Sequence, residues 1–419
     1  MVGHKKYILV SLILLLNWVD GFGQKRKGID SLVYKGIEFD SVINYNLYQV
    51  HGLVDFSKTK FHSKAKFNGT QFDSKAYFRE AQFDSLTYFG GAQFDSVAYF
   101  TKTQFHSEAY LHYTQFGSKV SFTHTQFHSE AYFRGAQFHS EAYFQEAQFG
   151  FLADFTKAQF HSEVLFDGLQ LPDILCFNKI KTDEIIDFTG TRIDLLLKRG
   201  GKHCFIDLRG APIEKFNLRY SQFRVYHPPN IDRVEFESIT NVYEGLLKNF
   251  KDRGYISSYE KLDKEYREFK YTKDPDRSIL DLLLNFINKH WSDYGYDKGR
   301  IWRHTAIAFL FFLLINWIRL PHLTLNIYSI AIVDKVLRKK KKLRAYRLVK
   351  GNYPLFNIYA PSLAFFYTAL IFFGLKMSTE NLKLENPFGV AYIFFQYVIG
   401  LVCLAYLANY IISSNLIGS

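Results

Sequence analysis

The stretch FHSEAYFRGAQFHSEAYFQEAQF, Phe127 to Phe149, says nearly the same thing twice in twenty-three residues. Phe returns at gaps of six, five, six and five. Extended outward from Phe39, the same alternation reaches 29 positions and ends at Ile193; 23 of them are Phe, and only Thr182 is neither aromatic nor aliphatic. Two residues before most of these stands a small side chain, as at Ala76, Ala81, Ala92, Ala98, Thr103 and Ala109. A repeat of this length decides the fold before any local propensity is consulted. An eleven-residue period can mark a right-handed coiled coil. Gaps of five and six, however, put successive rings on two separate stripes of a helix rather than one. The segment FGGAQF at Phe89–Phe94 would also break a helix. The remaining solution is a chain that turns a corner every five or six residues. On each short side the small residue and the Phe point inward, and the Gln or Tyr between them points out, as strand alternation requires. Asp-Ser, His-Ser, Gly-Gly and Arg-Gly at the corners suit turns. The fold class is mainly β solenoid.

Composition agrees with a large buried core. The 419 residues include 43 Phe and 29 Tyr and hold room for two or three domains. Three Cys, at 176, 204 and 403, have neither zinc spacing nor the number for a disulfide framework. Cys176 and Cys204 read as small core residues, with a bridge between them left open should the domain be exported. The formal charge of +12 points toward nucleic acid until its distribution is examined. Much of the excess lies in KVLRKKKKLRAYRLVK near the C-terminus, beside apolar stretches, where it sets membrane topology and touches anionic lipid.

The Phe-centred rhythm resembles the pentapeptide-repeat family, whose unit is A-(D/N)-L-x-x, with Phe here replacing the central Leu and a sixth residue in every second unit. The resemblance implies a right-handed quadrilateral β-helix with four units, or 22 residues, per coil. The 154 residues from Phe39 to Ile193 then make seven coils, roughly 34 Å at about 4.8 Å per strand, with a central Phe ladder flanked by an Ala/Thr ladder. The repeat domain is assigned to 24–193. After a break at KRGGKHC the rhythm resumes through Leu208, Ile213, Leu218 and Phe223, so 194–236 reads as irregular closing coils, ended by the paired prolines of His227–Asn230.

Outside the repeat, residues 1–23 have the layout of a secretory signal peptide: a basic start, an apolar run from Tyr7 to Val19, and Gly21 and Gly23 before Gln24. Cleaved or kept as an anchor, it exports the solenoid. Helical spacing governs 240–296, with caps expected at Asn241, Gly254 and Ser257, and a third helix carrying Ile279, Leu282, Leu283, Phe286 and Ile287 on one face. Three apolar stretches then read as an α-helical transmembrane domain, at 301–320, 355–375 and 388–412. The loop at 321–354 carries Lys339–Lys342 and five more cations, with Arg319 just before it, which makes it cytoplasmic. The loop around Ser378–Pro387, and with it the solenoid, falls outside. His322–Val333 is apolar but short, suited to an interface rather than a crossing.

Weighed for chemistry, the chain yields no H-E-x-x-H, G-x-S-x-G or P-loop spacing, and no catalytic, cofactor or metal residue is assigned. The recurring FHSE stacks His106 on His128 and His139 on His161 in a 22-residue coil; these read as solvated corner residues rather than metal ligands. Tyr77, Tyr88, Tyr99, Tyr110, Tyr132 and Tyr143 form an outer row, either a contact surface or cross-strand packing. The last two apolar stretches resemble the two-helix module of potassium channels. Where that family carries its T-V-G-Y-G filter, this chain has FFGLKMSTENLKLENP, with Lys376 in the ion path. The expected function is a multi-pass inner-membrane protein displaying its β-helix on the periplasmic side as a structural or protein-interaction scaffold, not an enzyme. Its expected partners are membrane lipid, a protein on the β-helix faces, and a second copy through the membrane helices, with no nucleic acid. The alternative is a channel-like transporter gated by the repeat domain.

Overall fold

The computed structural model describes residues 26–193, 203–331, 333, 335, 359–375, 379–383 and 386–416; the signal-peptide segment and most of the basic loop lie outside these residues. Residues 26–276 and 277–416 form separate units. In the first, short strands, most of two residues, pair in parallel with the strand 22 residues on: Ala76 with Ala98, Gln82 with Gln104, Thr87 with Ala109, Gln93 with Gln115. Four sheets of eight, nine, six and nine strands result, one per side of the coil. The chain is a parallel β-solenoid of about nine turns.

The interior holds four Phe ladders rather than one, because each side of the coil contributes its own ring. Along one, Phe78, Phe100, Phe122 and Phe144 stack with centroids 4.9–5.0 Å apart. Along the next, Phe83, Phe105, Phe127 and Phe149 stack at 4.8–5.0 Å. Rings from opposite sides of the coil meet edge to face, as Phe78 and Phe89 do at 5.4 Å and 87°. Both arrangements suit the ring quadrupole. The i−2 position, which also holds Val54, Val120 and Val164 buried, is most often Ala. Where Thr replaces it, the hydroxyl is satisfied internally: Thr103, Thr114 and Thr125 donate to the carbonyls of Phe78, Phe89 and Phe100 at 2.6–2.8 Å. A polar group in this dry interior is tolerated on that condition alone.

Every second corner is a tight turn with a positive-φ residue, recurring each eleven positions: Glu80, Gly91, Lys102, Tyr113, His124, Gly135, Glu146 and Lys157. The turn is closed by bonds such as Ala81 N to Phe78 O, 3.1 Å. Non-glycine residues are strained there, yet most corners carry one. At Gly69, Gly135 and Gly168 the preceding coil drapes a side chain over the corner. At Gly135 (φ 67°) a Cβ would lie 2.6 Å from the Tyr113 ring. Gly135→Ala is therefore expected to destabilise the solenoid by roughly 1–3 kcal/mol, read as a lower urea midpoint, whereas Lys102→Ala, at the same φ class with no such neighbour, stays within about 0.5 kcal/mol of the parent.

The rhythm's break at residues 194–202 has a structural counterpart. Cys176 pairs with Asp207, 31 residues on instead of 22, and the solenoid then continues through Cys204–Asp207, Phe216–Asn217 and Phe223–Val225. Leu208, Leu218 and Phe223 are buried as expected, while Ile213 sits in a short 3-10 turn, half-buried. Both Cys176 and Cys204 are free thiols. Helix α1 (Arg233–Asp252) begins eight residues before Asn241, because Asp232 caps it by accepting from Glu235 N at 2.8 Å. Asn241 is inside it. Gly254 ends it in a Schellman motif, with Tyr255 N donating to Phe250 O. Helix α2 (Ile256–Lys273) starts at Ile256 without a side-chain cap and stops before Pro275. Ile239, Tyr243, Leu246 and Phe250 of α1 and Leu262 and Phe269 of α2 join the same buried cluster as the ladders, closing the C-terminal end of the solenoid. A solenoid's last coil has no successor to bury it, so such a cap is required.

The second unit comprises α3 (Ile279–Ile287), α4 (Lys298–Asn326), α5 (Tyr359–Phe372) and α6 (Pro387–Leu416). Two of these, α4 and α6, are long and apolar enough to cross a membrane. They run antiparallel: Gly389 lies against Ile327, Tyr392 and Gln396 reach Asn316, and Tyr406 reaches Asn288. The stretch expected to form the second span, 355–375, is described from residue 359 on. Its described helix, α5, packs against both α4 and α6. Its Ala364, Tyr367 and Ile371 pack among Leu320–Val333, and its Phe365, Phe372 and Phe373 surround Phe309. The chain then returns to the C-terminal end of α4, where Lys383 N donates to Ile327 O and Ser329 N to Asn381 O. The loop around residue 380 thus sits at the end of α4 from which the basic segment departs, not at the opposite one. Residues 322–326 complete α4, and Leu323, Ile327, Tyr328, Ile330 and Val333 are buried in the three-helix cluster.

Candidate interaction surfaces

Each side of the coil shows the solvent one column of residues. Two opposite sides present Gln, in register from Gln71 to Gln159 and from Gln82 to Gln148. The other two present Tyr. The tyrosines read as one row in the sequence divide by fold into two, since consecutive Ala-Tyr units lie on opposite sides. Tyr88, Tyr110 and Tyr132 stack at 5.1–5.2 Å on one; Tyr77 and Tyr99 stack at 5.1 Å on the other, with the Arg79 guanidinium 4.0 Å over Tyr99. Tyr143 continues the second row after Ser121. Because the rings stack on each other, they offer the solvent edges and hydroxyls rather than faces. That geometry suits hydrogen-bonded docking of a flat protein surface.

The corner histidines stack as the 22-residue coil requires: His106 on His128 at 4.7 Å, and His139 on His161 at 5.1 Å. Below the first pair, His62 Nδ1 meets Asp84 at 2.7 Å. That hydrogen bond, against a smaller opposing effect of burial, raises the His62 pKa, whereas burial and the His106 charge lower that of His128. One column therefore contains corners of opposite acid response. Among the described residues no group of three His, Cys, Asp or Glu is placed to hold a metal ion.

The profile of pentapeptide repeats matches the chain over residues 49–93, 89–137 and 122–170, nine copies in all. The solenoid is built of pentapeptide repeats. Among curated proteins and among solved structures, nothing matches the chain.

Two polar clusters escaped the sequence reading, because neither has a periodic signature. At the capped end of the pentapeptide solenoid, Tyr220 and Tyr243 donate to Glu265 at 2.6 and 2.9 Å, Arg224 approaches the same carboxylate at 3.4 Å, and His227 Nε2 lies 3.0 Å from the Tyr243 hydroxyl. Burial raises the Glu265 pKa against these partners and, with Lys273, pushes His227 down to about 4. The cluster stitches the last coil to α1 and α2 at fixed geometry. In the other unit, Asn316 of α4 donates to Thr368 of α5 at 2.9 Å and to Gln396 of α6 at 3.0 Å, and accepts from Tyr392 at 2.8 Å. All three helices are joined at one fully buried polar knot.

His112 flanks the Tyr face of the pentapeptide solenoid. Its ring lies beside the stacked Tyr110 and Tyr132, 5.7 and 5.4 Å away, and its buried Nδ1 has no hydrogen-bond partner. Burial first, and Arg134 second, push it down to about 4, so the folded state holds it neutral. An unfolded chain takes up this proton near pH 6.5. The stabilisation is complete above that value and is lost as the pH falls toward 4, by roughly 3 kcal/mol at most. Urea midpoints of parent and His112→Phe should differ less at pH 4.5 than at pH 7.5 if the parent is the more stable at neutrality; an unchanged difference would refute the assignment.

Proposed function

We infer that this is a membrane-anchored pentapeptide-repeat protein whose solenoid is held outside the cytoplasm as a structural or protein-interaction scaffold, without catalysis. The observation that carries the anchoring is inverted polarity. Only 22% of the α4 apolar window and 28% of that in α6 are buried, so these helices are not the core of a water-soluble domain. Ile307, Leu310, Phe311, Leu314 and Ile318 of α4 and Phe394, Phe395 and Val398 of α6 face outward, while Asn316, Thr368 and Gln396 are inside. In water that distribution is costly; in hydrocarbon it is the expected one. The cations of 335–350 favour the cytoplasm for the C-terminal end of α4, which leaves the solenoid, preceding α4, on the other side. Support for the scaffold role comes from the long faces, which repeat one residue type over several coils.

Alkaline extraction of membranes tests the anchoring: the chain should remain in the pellet and release only with detergent. Protease added to intact spheroplasts should digest the solenoid, and its protection there would overturn the placement. The interaction role predicts that Tyr88→Ser with Tyr110→Ser and Tyr132→Ser abolishes a partner captured from solubilised envelope, while the Gln104→Ser face variant retains it. Capture unaffected by every face would exclude the solenoid as the binding element.

A further inference from the structure

We propose that α3 is an in-plane membrane helix, embedded at the lipid interface on the side where α4 begins. The proposal rests on the anchoring above. Helix α3 has nine residues, ILDLLLNFI, and is well formed: Ser278 and Asp281 make a reciprocal capping box. Yet it exposes almost everything it has. Ile279 is 87% exposed and Phe286 61%, and Leu280, Leu282, Leu283 and Leu284 are exposed as well. At about 100° per residue these six cover some 200° of the helix circumference. The remaining arc holds the two polar residues, Asp281 and Asn285, and Asn285 is turned inward, accepting from the Tyr294 hydroxyl at 2.6 Å. A helix that packed on its own chain would bury its leucines and expose its asparagine. This one does the reverse, as α4 does.

The position of α3 identifies the apolar medium. Its C-terminal end is tied to both long helices at one level: Arg300 donates to Lys289 O at 3.3 Å, His304 Nδ1 lies 3.2 Å from Trp291 O, and Tyr406 donates to Asn288 at 2.5 Å. Arg300 and His304 belong to the first turns of the α4 span, which opens at Gly299, so α3 is held at the depth where hydrocarbon gives way to headgroups. Between them the chain reverses through Asp293 and Tyr294, both at positive φ, a strained turn that fixes the end of α3 rather than letting it trail. Trp302, exposed on α4 at the same level, is a residue of the interfacial belt. About 13 Å long, α3 cannot cross the bilayer; a short apolar helix joined rigidly to a span lies in the surface. The lipid-facing surface of α4 and that of α3 are then continuous, and the bilayer is the occupant.

Depth-dependent quenching tests this on the full-length protein with Cys176→Ala, Cys204→Ala and Cys403→Ala, carrying one fluorophore on Leu283→Cys, Leu310→Cys or Lys102→Cys, in phosphatidylcholine vesicles brominated at carbons 6,7 or 11,12. The label at 283 should be quenched at least twofold more by the shallow bromines than by the deep ones, the label at 310 more by the deep ones, and the label at 102 by neither. Phe286→Cys repeats the measurement on the same face should Leu283→Cys fold poorly. Quenching at 310 with none at 283 or 286 overturns the inference, whether those labels prove open to aqueous iodide or shielded by protein. No quenching at 310 overturns the anchoring itself, a separate failure.

Discussion

Phe100→Ala should lower the stability of the solenoid by about 3–5 kcal/mol. Phe100 is fully buried, stacks at 4.9 Å on both Phe78 and Phe122, and meets Phe89 and Phe94 edge-on at 5.5 and 5.9 Å. Its removal severs one ladder in the middle and leaves two others without an edge contact. Relaxation cannot fill the space, because the rings above and below are held at the strand spacing by backbone hydrogen bonds such as Phe78 N to Tyr99 O and Phe100 N to Ser121 O. Nearest-neighbour coupling of coils means the damage propagates: amide exchange should accelerate in the coils on both sides of residue 100, not at that residue alone. Phe39→Ala supplies the contrast. That ring belongs to the first coil, is only half-buried, and stacks on one neighbour, Phe61, in its own ladder; its loss should cost about a third as much. The chain has already performed a milder version, since Leu111 stands in a ladder between Phe89 and Phe133 and is fully buried, so Phe100→Leu should be tolerated at roughly 1 kcal/mol. Equal midpoints for Phe100→Ala and Phe39→Ala in denaturant titration would show that the ladders do not bear the stability assigned to them.

The solenoid was legible because its signal is redundant. Each inward position is specified some 29 times by residue type at fixed spacing, so Leu111 or Thr182 cannot obscure it. Corner conformations were less so: turn chemistry marks where Gly135 stands but says nothing of why Glu80 or Tyr113 takes the same positive φ, which the neighbouring coils impose. Division of the tyrosines between two faces required knowing that four units close a coil, which the Ala-Tyr spacing alone does not state. The α1 start was misplaced because Asp232 follows two prolines and an asparagine, and the eye stops at the breaker rather than at the cap just beyond it. The 355–375 stretch shows what composition omits: hydropathy measures how well a segment tolerates hydrocarbon, not which neighbours it takes, and the contacts of Phe372 with α6 and of Asn381 and Lys383 with the end of α4 come from the fold alone. Neither the Asn316 knot nor the Glu265 cluster had a sequence signature, since each draws residues from elements far apart in the chain.

Gly400→Val is expected to displace α5 from α6 and unravel the three-helix unit. A Cβ at position 400 would lie 1.6 Å from the carbonyl oxygen of Phe372 and 2.5 Å from its carbon. The obstacle is backbone at the end of a helix, so no rotamer relieves it. The helices must separate by more than 1 Å at this point, and the nearby polar knot must open with them, because Thr368 is bonded both to Asn316 and, through its carbonyl, to Gln396. Interhelical hydrogen bonds of this kind contribute about 0.6 to 2 kcal/mol each, so their joint loss together with the packing defect amounts to several kcal/mol. Gly389→Ala offers the control. There the obstruction is a side chain rather than backbone, Cδ1, Cγ1 and Cγ2 of Ile327 at 2.2, 2.8 and 3.2 Å, which can shift without parting two helix backbones. Cys403 reports the outcome directly: it is fully buried one turn beyond Gly400 and packs with Phe312 and Phe372. In detergent its thiol should be inert to maleimide in the parent and close to inert in Gly389→Ala, and should label at least tenfold faster in Gly400→Val. A Cys403 that stays protected in Gly400→Val would mean that α5 does not rest against α6 at this glycine, and the packing of α5 on α6 would have to be abandoned.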